Sequence, residues 1–312
     1  MKKLLPLIFL FSLILPSSIF SQESITITAI PPRLELQALP GVTLQESIKI
    51  RNESNTEMAF QINSSDFIVS DNKGTPVAVT QAVSGRWSLS SWVTFSPKKI
   101  LLQPQETRMI DLVINIPQDA LAGGHYAMIT YSPDLTGMIG DQGSASTITQ
   151  KVGTLIYFNV IGDVVEAANL KEFKVDNFFS NYGPINLTAE IENLGDIHFA
   201  PTGNITITNL LNKSIFTASL EPTNIFPFAS RIFSWQVPGK YRFGRYMAKL
   251  EATAGTNQLP LNGLIYFWIV PVKEVALALG VIILILIIII VKRRRKPTPT
   301  PPLEPTLEPE IN

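Results

Sequence analysis

Residues 109–116 read MIDLVINI, and here Ile110, Leu112, Ile114 and Ile116 alternate with Met109, Asp111, Val113 and Asn115. Successive side chains of an extended chain point to opposite faces. One face of this stretch is therefore wholly aliphatic while the other carries both polar residues, which is the pattern of a strand half buried in a core. The same period recurs on both sides of it. Ile185, Leu187, Ala189 and Ile191 alternate with Asn186, Thr188, Glu190 and Glu192, and Ile25 and Ile27 alternate with threonines. Between Gln22 and Pro271 no stretch keeps a helical period. Pro, Gly and Asn punctuate the strands at short intervals, which predicts antiparallel sheets joined by turns; a parallel sheet would need helical crossovers.

The predicted fold is all-β: two immunoglobulin-like antiparallel β-sandwich domains followed by a single transmembrane helix. Strands are expected in the first domain near Ile25–Leu36, Thr43–Arg51, Met58–Asn63, Trp92–Phe95, Thr107–Ile116, His125–Tyr131 and Gly153–Val160. In the second they are expected near Asn169–Asn177, Ile185–Asn193, Gly203–Asn209, Ser214–Ser219, Ser230–Trp235, Arg245–Ala252 and Leu264–Val270. The domains are placed at 22–162 and 163–271, because charge rises and the apolar alternation stops around Gly162–Ala168. The long connection Ser132–Gln150, rich in Gly, Ser and Thr but without aromatic anchors, is expected to be a mobile loop rather than a site.

The ends of the chain set the compartment. Lys2 and Lys3 precede the apolar run Leu4–Leu15, and small residues follow at Ser17, Ser18 and Ser21, the arrangement of a cleaved secretory signal over 1–21. Val275–Val291 is uncharged throughout and has no polar face. At ~1.5 Å per residue it approaches the ~30 Å hydrocarbon layer, so a transmembrane helix is expected over 272–291. Lys292, Arg293, Arg294, Arg295 and Lys296 follow immediately, and such a cluster prefers the cytoplasmic side. The expectation is a single-pass type I protein of the cell membrane, with both domains outside and a basic, proline-rich tail, 292–312, inside.

Composition narrows the chemistry. The chain has no cysteine, so its domains are held by their cores without disulfides. Its 25 basic and 25 acidic residues balance, but five of the basic ones form the collar after the helix and leave the domains acidic, which argues against nucleic acid as a partner. His125 and His198 are the only histidines, too few for a multi-histidine metal site. Gly-x-Ser-x-Gly, phosphate-loop and His-Glu-x-x-His motifs are all missing, and the carboxylates are scattered singly. No enzyme activity and no cofactor is expected; Asp134 and Asp141 with loop carbonyls are the one calcium alternative. Asn-x-Ser/Thr sequons begin at Asn52, Asn63, Asn186, Asn204 and Asn212 and are read as chance.

The densest basic and aromatic segment is KYRFGRYMAK, 240–249. Lys240, Tyr241, Arg242, Phe243, Arg245 and Tyr246 are the candidate ligand-binding residues, with charge for an anionic polymer and rings for stacking on sugars. The competing reading is a hairpin whose alternate aromatics pack inward. Trp87 and Trp92 are expected in the core.

Four segments carry a family resemblance: GRWSLSSWVTFSP (85–97), VINIPQDALAGGHYAMITYSP (113–133), ENLGDIHFAPTGNITI (192–207) and IYFWIVP (265–271). Together they resemble the WxL-interacting proteins, bacterial cell-surface proteins that pair an N-terminal peptidoglycan-binding domain with a second β-sandwich and a C-terminal membrane anchor. The resemblance implies cell-wall polymer or surface proteins as partners, and a role by contact, not reaction. It supplies no individual site residues. Trp87-Ser88-Leu89 spells the tripeptide that names that family's partners but carries no functional weight here. The alternative function is a structural or assembly factor of pilus-chaperone type, whose two sandwiches offer a sheet edge to a client strand.

Overall fold

The alternation at 109–116 is realised in space: Ile110, Leu112, Ile114 and Ile116 are buried, while Met109 and Asp111 face solvent. The structure, a computed structural model, describes residues 27–69, 71–79, 85–134, 152–180, 184–239 and 243–294. These fall into two compact units, the first ending at Asp163 and the second beginning at Val164, with Val69–Thr75 grouped with the second. The signal segment, the proline-rich tail and most of the Ser132–Gln150 connection lie outside the described residues.

The first unit contains β1 (Ile27–Ile30), β2 (Arg33–Ala38), β3 (Thr43–Asn52), β4 (Met58–Val69), β5 (Pro76–Val79), β6 (Val93–Ser96), β7 (Lys99–Leu102), β8 (Thr107–Asn115), β9 (Gly123–Pro133) and β10 (Val152–Val160). One sheet runs β1-β3-β8-β6, and the other runs β2-β10-β9-β4-β5 with β7 also on β4. Between them lies a core that includes Ile48, Ile50, Phe60, Leu102, Ile129 and Phe158, each fully enclosed. Burying such side chains stabilises by ~1.5–3 kcal/mol apiece, which is how a sandwich without disulfides is held.

The strand expected as one piece at Ile25–Leu36 is two. Pro31 and Pro32 offer no N–H to a ladder, so pairing with β3 stops at Ile30 and the chain crosses to the opposite sheet. There β2 runs parallel to β10, Arg33 opposite Leu155 through Ala38 opposite Val160. The expectation of purely antiparallel sheets is corrected at this pair. No helical crossover is required, because the parallel partner is the unit's last strand, reached through the rest of the sandwich.

The second unit repeats the device with β11 (Ala168–Val175), β12 (Phe179–Ser180), β13 (Ile185–Asn193), β14 (Thr202–Asn209), β15 (Ser214–Ser219), β16 (Ser230–Val237), β17 (Gly244–Ala254) and β18 (Leu259–Ile269). Its sheets are β11-β13-β16 and β12-β18-β17-β14-β15. β11 lies in the smaller sheet, and β12 crosses to pair in parallel with the last strand, Phe179 opposite Trp268. The turn between β17 and β18 is tied by the Glu166 carboxylate, which accepts from the Thr256 hydroxyl at 2.6 Å and the Asn257 N–H at 3.0 Å. Gly255 in that turn has φ +69°, which favours glycine, and a Cβ there would meet Glu166 Oε2 at 2.5 Å and push that carboxylate aside.

Each unit also contains the same asparagine corner. Asn52 at the end of β3 donates from Nδ2 to the Thr56 and Leu102 carbonyls at 2.8 and 3.2 Å, while its Oδ1 accepts the Ser54 N–H at 3.0 Å. Asn193 at the end of β13 donates to the Ile197 and Ile225 carbonyls at 2.8 and 2.9 Å, and its Oδ1 accepts the Gly195 N–H at 2.8 Å. Both side chains are fully buried. The Asn52 sequon therefore has no accessible amide for a glycan.

Separated from β18 by two residues, α1 (Val272–Arg294) spans about 34 Å at ~1.5 Å per residue. It is long and apolar enough to cross a membrane, and none of its residues is buried.

Candidate functional site

The hairpin singled out from the sequence is divided by its own register. Tyr246 points inward, 6% exposed, with its ring stacked 5.8 Å from Phe267, its cross-strand partner. It cannot present a ring to a ligand. Arg245 points outward, with its guanidinium 4.6 Å over the Tyr266 ring. Phe243 is exposed and lies 6.4 Å from the Trp268 ring. Lys240, Tyr241 and Arg242 lie outside the described residues.

Phe243 and Arg245 belong to a larger aromatic face whose other members come from elsewhere in the sequence. Trp268 on β18 is flanked in register by Arg245 of β17 on one side and Phe179 of β12 on the other. The Phe178 carbonyl accepts the Trp268 N–H at 2.8 Å, and the Phe178 and Phe179 rings meet edge to face at 5.0 Å. Tyr266, two residues back on β18, shares the outward face. Reading the sequence missed Phe178, Phe179, Tyr266 and Trp268. The signal present was the alternation in IYFWI, but a period of two does not say which face is outside.

A second feature lies on the first unit. The outer face of its larger sheet holds an open groove of about 630 Å³, lined by Pro32, Asn63, Ser65, Met128, Thr130 and Leu155 and bounded by Pro76 and Ala78 of β5. The lining residues sit at alternate positions of β4, β9 and β10, and none carries a charge. Gly153 also lines it, and a Cβ there would meet the Ile129 carbonyl oxygen at 2.3 Å, so the groove floor is locally bare backbone. Hydroxyls, an amide, a thioether and proline rings on a rigid sheet suit an extended neutral chain.

Titratable groups beside the groove serve the fold. The buried Asp66 carboxylate accepts from the Ser88 hydroxyl at 2.7 Å and from the Leu89 and Ser90 N–H groups at 3.0 and 2.7 Å. This locks Trp87-Ser88-Leu89 into a turn with Leu89 in the core, which gives that tripeptide an architectural role. Trp87 and Trp92 are half-buried rather than enclosed, Trp92 packing on the core and facing the His125 ring at 4.5 Å. His125 is 1% exposed, and its Nδ1 and Nε2 face the Ser88 and Leu121 carbonyls at 3.0 and 2.9 Å. Asp134, one half of the calcium alternative, pairs with Lys99 at 3.0 Å, and Asp141 lies outside the described residues. Among the described residues no group of three or more His, Asp or Glu is placed to hold a metal ion.

No family model matches the sequence, and no curated protein sequence matches it. Solved structures similar to the chain include the class 5 fimbriae chaperone CfaA, at 14% identity over 79% of this chain and 100% of that one, TM-score 0.38. The Pseudomonas aeruginosa chaperone CupB2 is similar at 8% identity over 78% and 100% of the two chains, TM-score 0.37. The E. coli chaperone DraB is similar at 11% identity over 78% and 98%, TM-score 0.34. At these values the architecture rests on the strand pairing described above.

Proposed function

We propose that the chain is a surface binding module tethered by α1, with its β-sandwiches outside the cell, and that its first unit holds a wall polymer of peptidoglycan type by contact. The observation that carries this reading is the uncharged groove across β4, β9 and β10, whose alternate hydroxyl, amide and thioether side chains match an extended, neutral, hydrogen-bonding chain. Kinship with the WxL-interacting proteins is part of the same proposal. The orientation is part of the proposal: the basic end of α1, beginning at Lys292, stays in the cytoplasm.

A second reading, an assembly factor lending a sheet edge to a client strand, is favoured by β5. This four-residue strand is the edge of the same sheet, and Val77 on it is 45% exposed. Among the described residues no strand pairs with its outer edge, the arrangement that strand addition uses.

Sedimentation of the detergent-solubilised full chain with purified wall sacculi separates the two. Polymer binding predicts retention on sacculi stripped of protein, little affected by salt, and abolished by Met128→Lys with Thr130→Lys. Retention that vanishes with the stripped proteins, together with a stoichiometric co-purifying client, would instead establish the assembly role.

A further inference from the structure

Among the described residues five aromatic side chains are exposed, and four of them, Phe178, Phe179, Phe243 and Tyr266, lie at one end of the second unit's five-stranded sheet. Their exposures are 52, 68, 62 and 40%, and the half-buried Trp268 sits at their centre. Apolar faces of this kind are not left in water without a use.

The chain itself indicates what covers this one. Trp268 and Val272, the first residue of α1, are four positions apart, with only Val270 and Pro271 between β18 and the helix. Even a fully extended link keeps them within about 14 Å. The polar headgroup layer flanking the hydrocarbon core is itself about 5–8 Å thick on each side. Lys273 and Glu274 lie in the first turn of the helix, where charge gives way to the uninterrupted apolar run. An indole and a phenol, each an apolar ring with one polar group, beside an arginine that can reach phosphate, have the chemistry that settles at that level.

We infer that this end of the second unit, formed by Phe178, Phe179, Phe243, Tyr266 and Trp268 with Arg245, rests in the lipid headgroup layer of the bilayer that α1 crosses. The inference rests on the membrane-span reading of α1. It replaces a soluble ligand for Phe243 and Arg245 with the membrane surface.

The test reconstitutes the full chain into phosphatidylcholine and phosphatidylglycerol vesicles containing lipids brominated either just below the headgroup or at mid-chain. Flotation after an alkaline carbonate wash reads the span itself. The emission of Trp268, obtained as the difference between wild type and Trp268→Phe, reads the inference. Shallow bromine is expected to quench most of that emission, and deep bromine several-fold less. Phe179→Ser with Phe243→Ser, both at exposed positions, should keep the circular dichroism and the flotation but lower the shallow quenching several-fold. A chain that floats while aqueous iodide quenches Trp268 equally with and without lipid overturns the inference and leaves the face to a protein partner. A chain that does not float overturns the span reading, and the inference with it.

Discussion

Asn52 and Asn193 show how much of this fold hangs on single side chains. Each buried amide joins its own turn to a distant strand or loop, so truncation strands several backbone groups without partners, at ~1–3 kcal/mol for each that stays dry. Asn52→Ala or Asn193→Ala is expected to destabilise by about 3 kcal/mol or more, read as a lower urea midpoint with an unchanged slope. Tyr131 makes the opposite case. Its hydroxyl is buried in the first core without a hydrogen-bond partner of good geometry. Burial pushes it up to about 12 from 10.0, with the neighbouring Thr154 hydroxyl acting weakly the other way. The folded-state value is raised, so this contribution is intact below pH 10 and is lost as pH climbs through about 12. Tyr131→Phe should leave the Tm at neutral pH unchanged or raise it, and should flatten the decline measured between pH 9 and 12.

At the scale of elements, Glu190 binds the three strands of the smaller sheet in the second unit. From β13 it accepts the Ser230 hydroxyl of β16 at 2.7 Å and Lys171 of β11 at 3.0 Å. The Ser230 hydrogen bond, then Lys171, holds its carboxyl below the usual carboxylate range. A depressed value means stability that is present above the ordinary glutamate range and lost as pH falls through the folded-state value. Thermal melts from pH 6 to pH 3 should therefore show Glu190→Gln less stable than wild type at pH 6, with the gap closing on acidification. A gap that widens instead would rule this linkage out. The long strands of this fold were legible in the sequence because Ile, Leu and Val at every second position leave one solution. β5, β7 and β12 were not: PVAV has no polar residue to alternate with, KILL has only Lys99 before three aliphatic residues, and Phe179–Ser180 is too short to show a period. The candidate site was half legible. KYRFGRYMAK announced Phe243 and Arg245 by composition, but the partners that complete the face arrive only through the pairing of β12 and β18, and such pairing is not written in local pattern.

For the whole molecule, the absence of thiols from the sequence and of any metal cluster among the described residues predicts melting that is indifferent to reductant and to EDTA. A fall in Tm of several degrees with chelator would reveal a cation site. The proposed topology predicts that protease added to intact cells removes both sandwiches and spares the segment after Lys292. The crossing of β12 onto β18 has a mechanical consequence. A pull on the wall side and an anchor in the membrane would load the second unit along β18, which is paired over eleven positions with β17 and, at its C-terminal end, over two positions with β12 on its other edge. Tension along β18 strains its hydrogen bonds to β17 together, in shear, and the two-residue pairing with β12 braces the end where the load enters, where a free end would let the bonds peel one at a time. The strand nearest the anchor is thereby the one built to bear tension.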